Sequence, residues 1–126
     1  MCKQQDQNAS ATTAQAAATK ERDATYLVIG AGTAGLSFID SLLTLDANAT
    51  VILVDRNSQP GGHWTKSYPF VRLHQASCNY GVNSLPLSNI RDKKGNEIFS
   101  VNDLPICQEL KGYYKVVVEQ FREGGR

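Results

Sequence analysis

The chain has 126 residues, 41% of them hydrophobic, and a formal net charge of +1. Those values fit one small globular domain and exclude the strongly basic balance of a nucleic-acid binder. No apolar run reaches the ~18 residues of a membrane span, no apolar signal core follows Met1, and three widely spaced cysteines (Cys2, Cys78, Cys107) point to a reducing, cytoplasmic setting without a disulfide framework or zinc site.

Residues 1–24 are rich in Ala, Thr, Gln and Asn and hold no aromatic or large aliphatic side chain after Met1. They cannot bury a face, so a disordered arm is expected. A transit peptide is the lesser alternative, because Asp6 is present and no arginine precedes Arg22. The sequons at Asn8 and Asn48 are incidental in a cytosolic chain. The domain itself is expected to occupy residues 25–126.

Thr25 to Ile29 is a short apolar, β-branched run and predicts a strand. Gly30-Ala31-Gly32-Thr33-Ala34-Gly35 follows at once and matches G-x-G-x-x-G. A helix is predicted from Thr33 to about Leu45, with Leu36, Ile39 and Leu43 on one face. A second strand, Thr50 to Val54, ends in Asp55. Strand, glycines, helix, strand and acid in this order make a dinucleotide-binding pattern. Gly30 permits the turn, Gly32 lets backbone approach a diphosphate, and Gly35 lets helix and strand pack closely. The helix start offers free N–H groups and the positive end of the macrodipole. Asp55 would accept hydrogen bonds from a ribose diol and repel a 2′-phosphate. Both strands are nearly continuous apolar runs, as for parallel strands covered on both faces. The fold class expected is α/β, a Rossmann-type doubly wound parallel sheet.

Residues 56–90 hold Pro60, Pro69, Pro86 and several Gly and Asn without clear periodicity, and predict an ordered irregular loop. Asp92 to Asn96 predicts a turn, with a hairpin between short strands as one form. A last helix is expected from about Asp103 to Arg122, capped by Asn102 or Asp103, with Pro105 in its first turn. Its packing stripe would be Cys107, Leu110, Tyr114, Val117, Val118 and Phe121, weakened at Gly112. The chain stops where a further parallel strand is expected, which predicts a truncated, incomplete domain.

Downstream of Asp55 the chain carries Arg56, Gly61-Gly62-His63-Trp64, Tyr68-Pro69, Arg72-Leu73-His74-Gln75, Ser77 and Tyr80-Gly81-Val82-Asn83. With the glycine pattern, this resembles the N-terminal FAD-binding region of class B flavin monooxygenases and related FAD/NAD(P)-binding oxidoreductases, over about residues 25–123. The resemblance implies that residues 30–35 wrap the FAD diphosphate, Asp55 holds the adenosine ribose and Arg56 lies beside the adenine. It also implies that Gly61 and Gly62 run close to the cofactor, that His63 and Trp64 lie along it towards the flavin, and that Gln75 and Ser77 meet it again. NADPH would reduce the flavin in the complete enzyme, which would oxygenate a small substrate. The NADPH site and most of the substrate cavity would lie beyond residue 126, and the piece alone would be inactive, marginally folded or aggregation-prone, and would hold FAD weakly or not at all. From the residues alone, Gly61 to Trp64 suits a ligand-lining loop or a turn with its Trp in the core equally. His63 and His74 are expected to be hydrogen-bonded structural side chains, and Cys78 a buried inert thiol. No residue stands out as general acid, base or nucleophile. Two other functions fit the same residues: an NAD-binding module of a flavin-free dehydrogenase, and a non-enzymatic remnant.

Overall fold

The computed structural model describes residues 21–124. The expected arm falls outside them except for residues 21–24, which form no helix or strand, and Gly125 and Arg126 are also outside. The elements run β1 (Tyr26–Ile29), α1 (Thr33–Leu45), β2 (Val51–Val54), a short hairpin β3 (Gly81–Val82) and β4 (Leu85–Pro86), and α2 (Cys107–Glu123).

β1 and β2 pair in parallel, Tyr26 with Val51 through Ile29 with Val54. A parallel pair requires a crossover, and α1 supplies it. The helix occupies the span its periodicity predicts. It ends where Asp46 turns to extended backbone and its carboxylate accepts the N–H of Asn48 at 2.9 Å. Leu36, Ile39 and Leu43 of α1 are buried, with Val28, Val51 and Leu53 of the sheet packed against the same core.

Side chains alternate across a strand, so Leu27, Ile29, Ile52 and Val54 share the other face. That face is open: Leu27 is 63% and Ile29 81% exposed. The expectation of strands covered on both faces is therefore corrected. Both helices lie on one side of the sheet, and nothing among the described residues covers the other.

α2 closes the core with Cys107, Leu110, Tyr113, Tyr114 and Val117 buried. It begins at Cys107, later than expected. Asp103 turns back to accept the N–H of Ser100 at 2.7 Å, and Pro105 lies ahead of the helix. Glu109 performs the capping, accepting the Ile106 N–H at 2.7 Å, which is one half of a capping box. Gly112 is exposed, and a Cβ there meets nothing within 4 Å. Gly112→Ala is expected to stabilise the chain by about 1 kcal/mol, roughly 4 °C in the thermal midpoint, through lost backbone entropy in the unfolded state. A calorimetric scan checks it.

The stretch after β2 is ordered by short 3₁₀ turns at Gly62–Lys66, Ser77–Asn79 and Leu87–Asn89 and by the hairpin. The hairpin is pinned to both helices. Tyr113 of α2 accepts the Val82 N–H at 2.6 Å and donates to the Leu85 carbonyl at 2.9 Å, and burial pushes its phenol up to about 12. Buried Asp40 of α1 accepts the Ser84 N–H at 3.0 Å and the Ser84 hydroxyl, and Gln120 donates to that hydroxyl at 3.2 Å. The expected turn forms at 92–96, where Asp92 accepts the N–H groups of Lys94 and Asn96, beside an antiparallel bridge between Arg91 and Glu97.

Candidate functional site: a cleft over the first glycine turn

A cleft of about 820 Å³ opens at the carboxyl ends of β1 and β2. Its floor is the glycine turn, with Gly30, Gly32, Ala34 and Gly35 on its surface. One wall holds Ile29 and Val54, the other Gly62, His63 and Lys66. Asp55, Arg56 and Asn57 stand at the end of β2.

The glycine turn is tight for a measurable reason. A Cβ on Gly35 would lie 2.0 Å from the carbonyl oxygen of Gly30, so the helix meets the strand end at a distance only glycine permits. A Cβ on Gly32 would meet the Gly62 Cα at 3.4 Å, and one on Gly62, where φ is +53°, would meet the Gly32 Cα at 3.0 Å. The two glycine segments thus lie backbone against backbone, and the Gly61 N–H donates to the Ala31 carbonyl at 2.8 Å. α1 carries no acid in its first turn and no side-chain cap at Gly32. Its first amides present positive charge to whatever fills the cleft.

Asp55 anchors this turn from the neighbouring strand. Its Oδ2 accepts the Ala31 N–H at 2.7 Å. Its Oδ1 accepts the Asn57 backbone N–H at 2.7 Å and the Asn57 side-chain amide at 2.8 Å. The hydrogen bonds from the Asn57 and Ala31 amides hold its carboxyl below the ordinary carboxylate range. A carboxylate offers about four acceptor positions. Three are filled by described residues, and no described residue takes the remaining position on Oδ2 beside the cleft. Arg56 and Lys66 bring two cations to the same space, against the single carboxylate of Asp55.

A family model described as an NAD(P)-binding Rossmann-like domain matches residues 28–96, from mid-β1 to the turn after the hairpin. The chain belongs to this family. It is also 47% identical over 95 residues to uncharacterized proteins of Mycobacterium bovis and Mycobacterium tuberculosis, a match covering 75% of this chain and 18% of each relative. The chain therefore spans under a fifth of the length of these relatives. Among solved structures it is similar to a flavin-containing monooxygenase from Stenotrophomonas maltophilia and to a mutant flavin monooxygenase from that organism. Both superpose with a TM-score of 0.59 at 20% identity, covering 76% of this chain and 26% and 25% of theirs. At that identity the likeness speaks for the fold, which is the α/β Rossmann type.

Within the Rossmann-like domain, the residues expected to bind a cofactor divide into two groups. Gly30, Gly32, Ala34, Gly35, Asp55, Arg56, Gly62 and His63 face the cleft. The others do not line it. Ala31 is buried, its N–H committed to Asp55. Thr33 turns its hydroxyl inwards to Tyr80 and Tyr114. Gly61 is buried behind Gly62. Trp64 is 6% exposed and donates its indole N–H to the Tyr80 hydroxyl at 2.9 Å, so it is the core anchor of its turn. Ser77 is fully buried and donates to the Ser100 carbonyl at 2.5 Å, while Gln75 is exposed away from the cleft.

Two further expectations are corrected, and one residue of the cleft was not expected. Cys78 is exposed, and the buried thiol is Cys107, whose Sγ donates to the Trp64 carbonyl at 3.2 Å. His63 and His74 are both exposed, His63 tilted on the Trp64 ring at a centroid distance of 4.8 Å. Lys66, which sequence inspection passed over, lines the cleft. A lysine two residues beyond the Gly-Gly-His-Trp segment has no signal of its own. The 3₁₀ turn at Gly62–Lys66 is what brings it to the wall.

Proposed function

We propose that this Rossmann-like domain is the FAD-binding part of a flavin-dependent, NAD(P)H-using oxidoreductase, most like a monooxygenase. Residues 25–126 would form that unit, preceded by an arm. The observation that carries the proposal is the contact between Gly32 and Gly62. A nucleotide turn alone suits NAD or FAD. A second glycine segment pressed onto it, followed by His63 and Lys66 along the same cleft, extends the binding surface beyond the diphosphate, as a flavin would need. The monooxygenase folds of the structural neighbours agree with this.

The residues present fit the group. Free amides of α1 would meet the diphosphate, with Lys66 supplying a point charge. The open position on Asp55 would accept one ribose hydroxyl, and Arg56 with Ile29 and Val54 would flank the adenine. Bound flavin would supply the redox chemistry, while the protein orients it and shapes its surroundings. Small-molecule substrates would belong to the remainder of a longer protein.

Calorimetric titration of the chain with FAD, NAD and NADP tests the proposal. FAD is expected to bind best and NADP worst, since Asp55 repels a 2′-phosphate. Lys66→Gln is expected to weaken FAD three- to fivefold and to flatten its dependence on salt, the effect of one exposed charge. Tighter binding of NAD than of FAD would favour the flavin-free dehydrogenase module. Absence of binding by all three nucleotides, both in this chain and in a longer protein that contains it, would defeat the dinucleotide site.

A further inference from the structure

Three hydroxyl groups meet beneath the cleft floor. Thr33 of α1 lies 2.5 Å from the Tyr114 hydroxyl and 3.1 Å from the Tyr80 hydroxyl, and the two phenols are hydrogen-bonded to each other. Each hydroxyl owns one proton. A closed triangle in which each donates once and accepts once uses all three, and Tyr80 accepts in addition from the Trp64 indole. No hydroxyl proton is left over. The Thr33 side chain is therefore engaged below the floor while its backbone belongs to the turn above.

Tyr114 touches both halves of the site. Its hydroxyl holds Thr33, the residue after Gly32. Its ring lies against Gly61, the residue before Gly62, where a Cβ would come within 3.3 Å of it. It comes from α2, 81 residues along the chain from Thr33, and is 1% exposed. We propose that Tyr114 is a positioning residue for the cleft, a rigid backing against which the hydroxyl triangle clasps the two glycine segments together. The clasp sets the spacing of the floor before any ligand arrives, so that binding does not first have to order it. What the spacing serves rests on the dinucleotide function proposed above.

The test uses amide exchange in the ligand-free chain, at Leu36 and Gly61, whose N–H groups donate to Gly32 and Ala31. Tyr114→Phe keeps the ring and removes the clasp. Exchange at both amides is expected to rise about tenfold, the equivalent of one buried hydrogen bond, with affinity for ADP falling by a similar factor. Thr33→Val is expected to do the same, the pair together no more than either alone, and Thr33→Ser to restore wild-type rates. Unchanged exchange at Leu36 and Gly61 in both Tyr114→Phe and Thr33→Val, with only the melting temperature lowered, would overturn the proposal. Because exchange needs no ligand, it reads the clasp whether or not nucleotide binds, and failure to bind ADP even in a longer protein that contains this chain would count against the dinucleotide function and leave the clasp standing.

Discussion

Gly35→Ala is expected to destabilise the chain by about 3 kcal/mol and to remove nucleotide binding. The added Cβ would sit 2.0 Å from the Gly30 carbonyl oxygen and 3.5 Å from the Val28 side chain. The nearest atom is backbone, held by the Gly30 N–H bond to the Val54 carbonyl at 2.7 Å, so it cannot swing aside as a side chain would. Relief must come from lifting α1 off the strand end, which opens the cleft floor and unpacks Leu36 and Ile39. The urea midpoint of unfolding measures the effect. The same chemical change at Gly112 is expected to have the opposite sign. An unchanged midpoint in Gly35→Ala would mean that α1 and β1 do not meet this closely.

Asp55→Asn is expected to weaken FAD and ADP binding ten- to hundredfold, the scale of losing hydrogen bonds to a charged acceptor. The amide has nearly the shape of the carboxylate but only one acceptor oxygen. Whichever way it is turned, its NH₂ faces either the Ala31 N–H or the Asn57 N–H, donor against donor. The turn loses its tie to the second strand as well as the acceptor offered to the ribose. The pH dependence follows from the direction of the shift. Asp55 has a depressed folded pKa, so its anchoring is fully present above its ordinary value of about 3.9 and is lost as pH falls through the lower folded value. Binding in the wild type should therefore stay flat from neutral pH down to about 5 as far as this group is concerned. Calorimetric titrations of both proteins at several pH values check both points. Equal affinities for Asp55→Asn and wild type would remove Asp55 from the site.

The parts of this fold legible in the sequence are those governed by local rules. α1 was readable because its apolar period, its glycine entry and its polar exit agree, and β1 and β2 because their runs are short, β-branched and bounded. The start of α2 was misplaced because two rules competed. Asp103 and Pro105 form a plausible helix entry, but Asp103 satisfies Ser100 behind it and Glu109 satisfies Ile106 ahead. The open sheet face was hidden for a different reason. Apolar composition states what a face would prefer to touch, not what is there to touch it.

The candidate site was legible to the same extent. Glycine spacing and the strand-end acid point at the floor and at Asp55 directly. Trp64, Thr33 and Ser77 were drawn in by position, and the fold turned each inwards to a partner far along the chain. Tyr114 was readable as one member of a packing stripe. Periodicity reports that a ring is buried and says nothing of where its hydroxyl ends.

The contact between Gly32 and Gly62 has an evolutionary consequence. Two segments thirty residues apart constrain each other unequally. The constraint falls mainly on Gly62, whose positive φ and 3.0 Å approach to the Gly32 Cα both resist a side chain, whereas a methyl group on Gly32 would meet Gly62 at 3.4 Å, an ordinary contact distance. Gly62 is where a redesign of cofactor preference would meet most resistance.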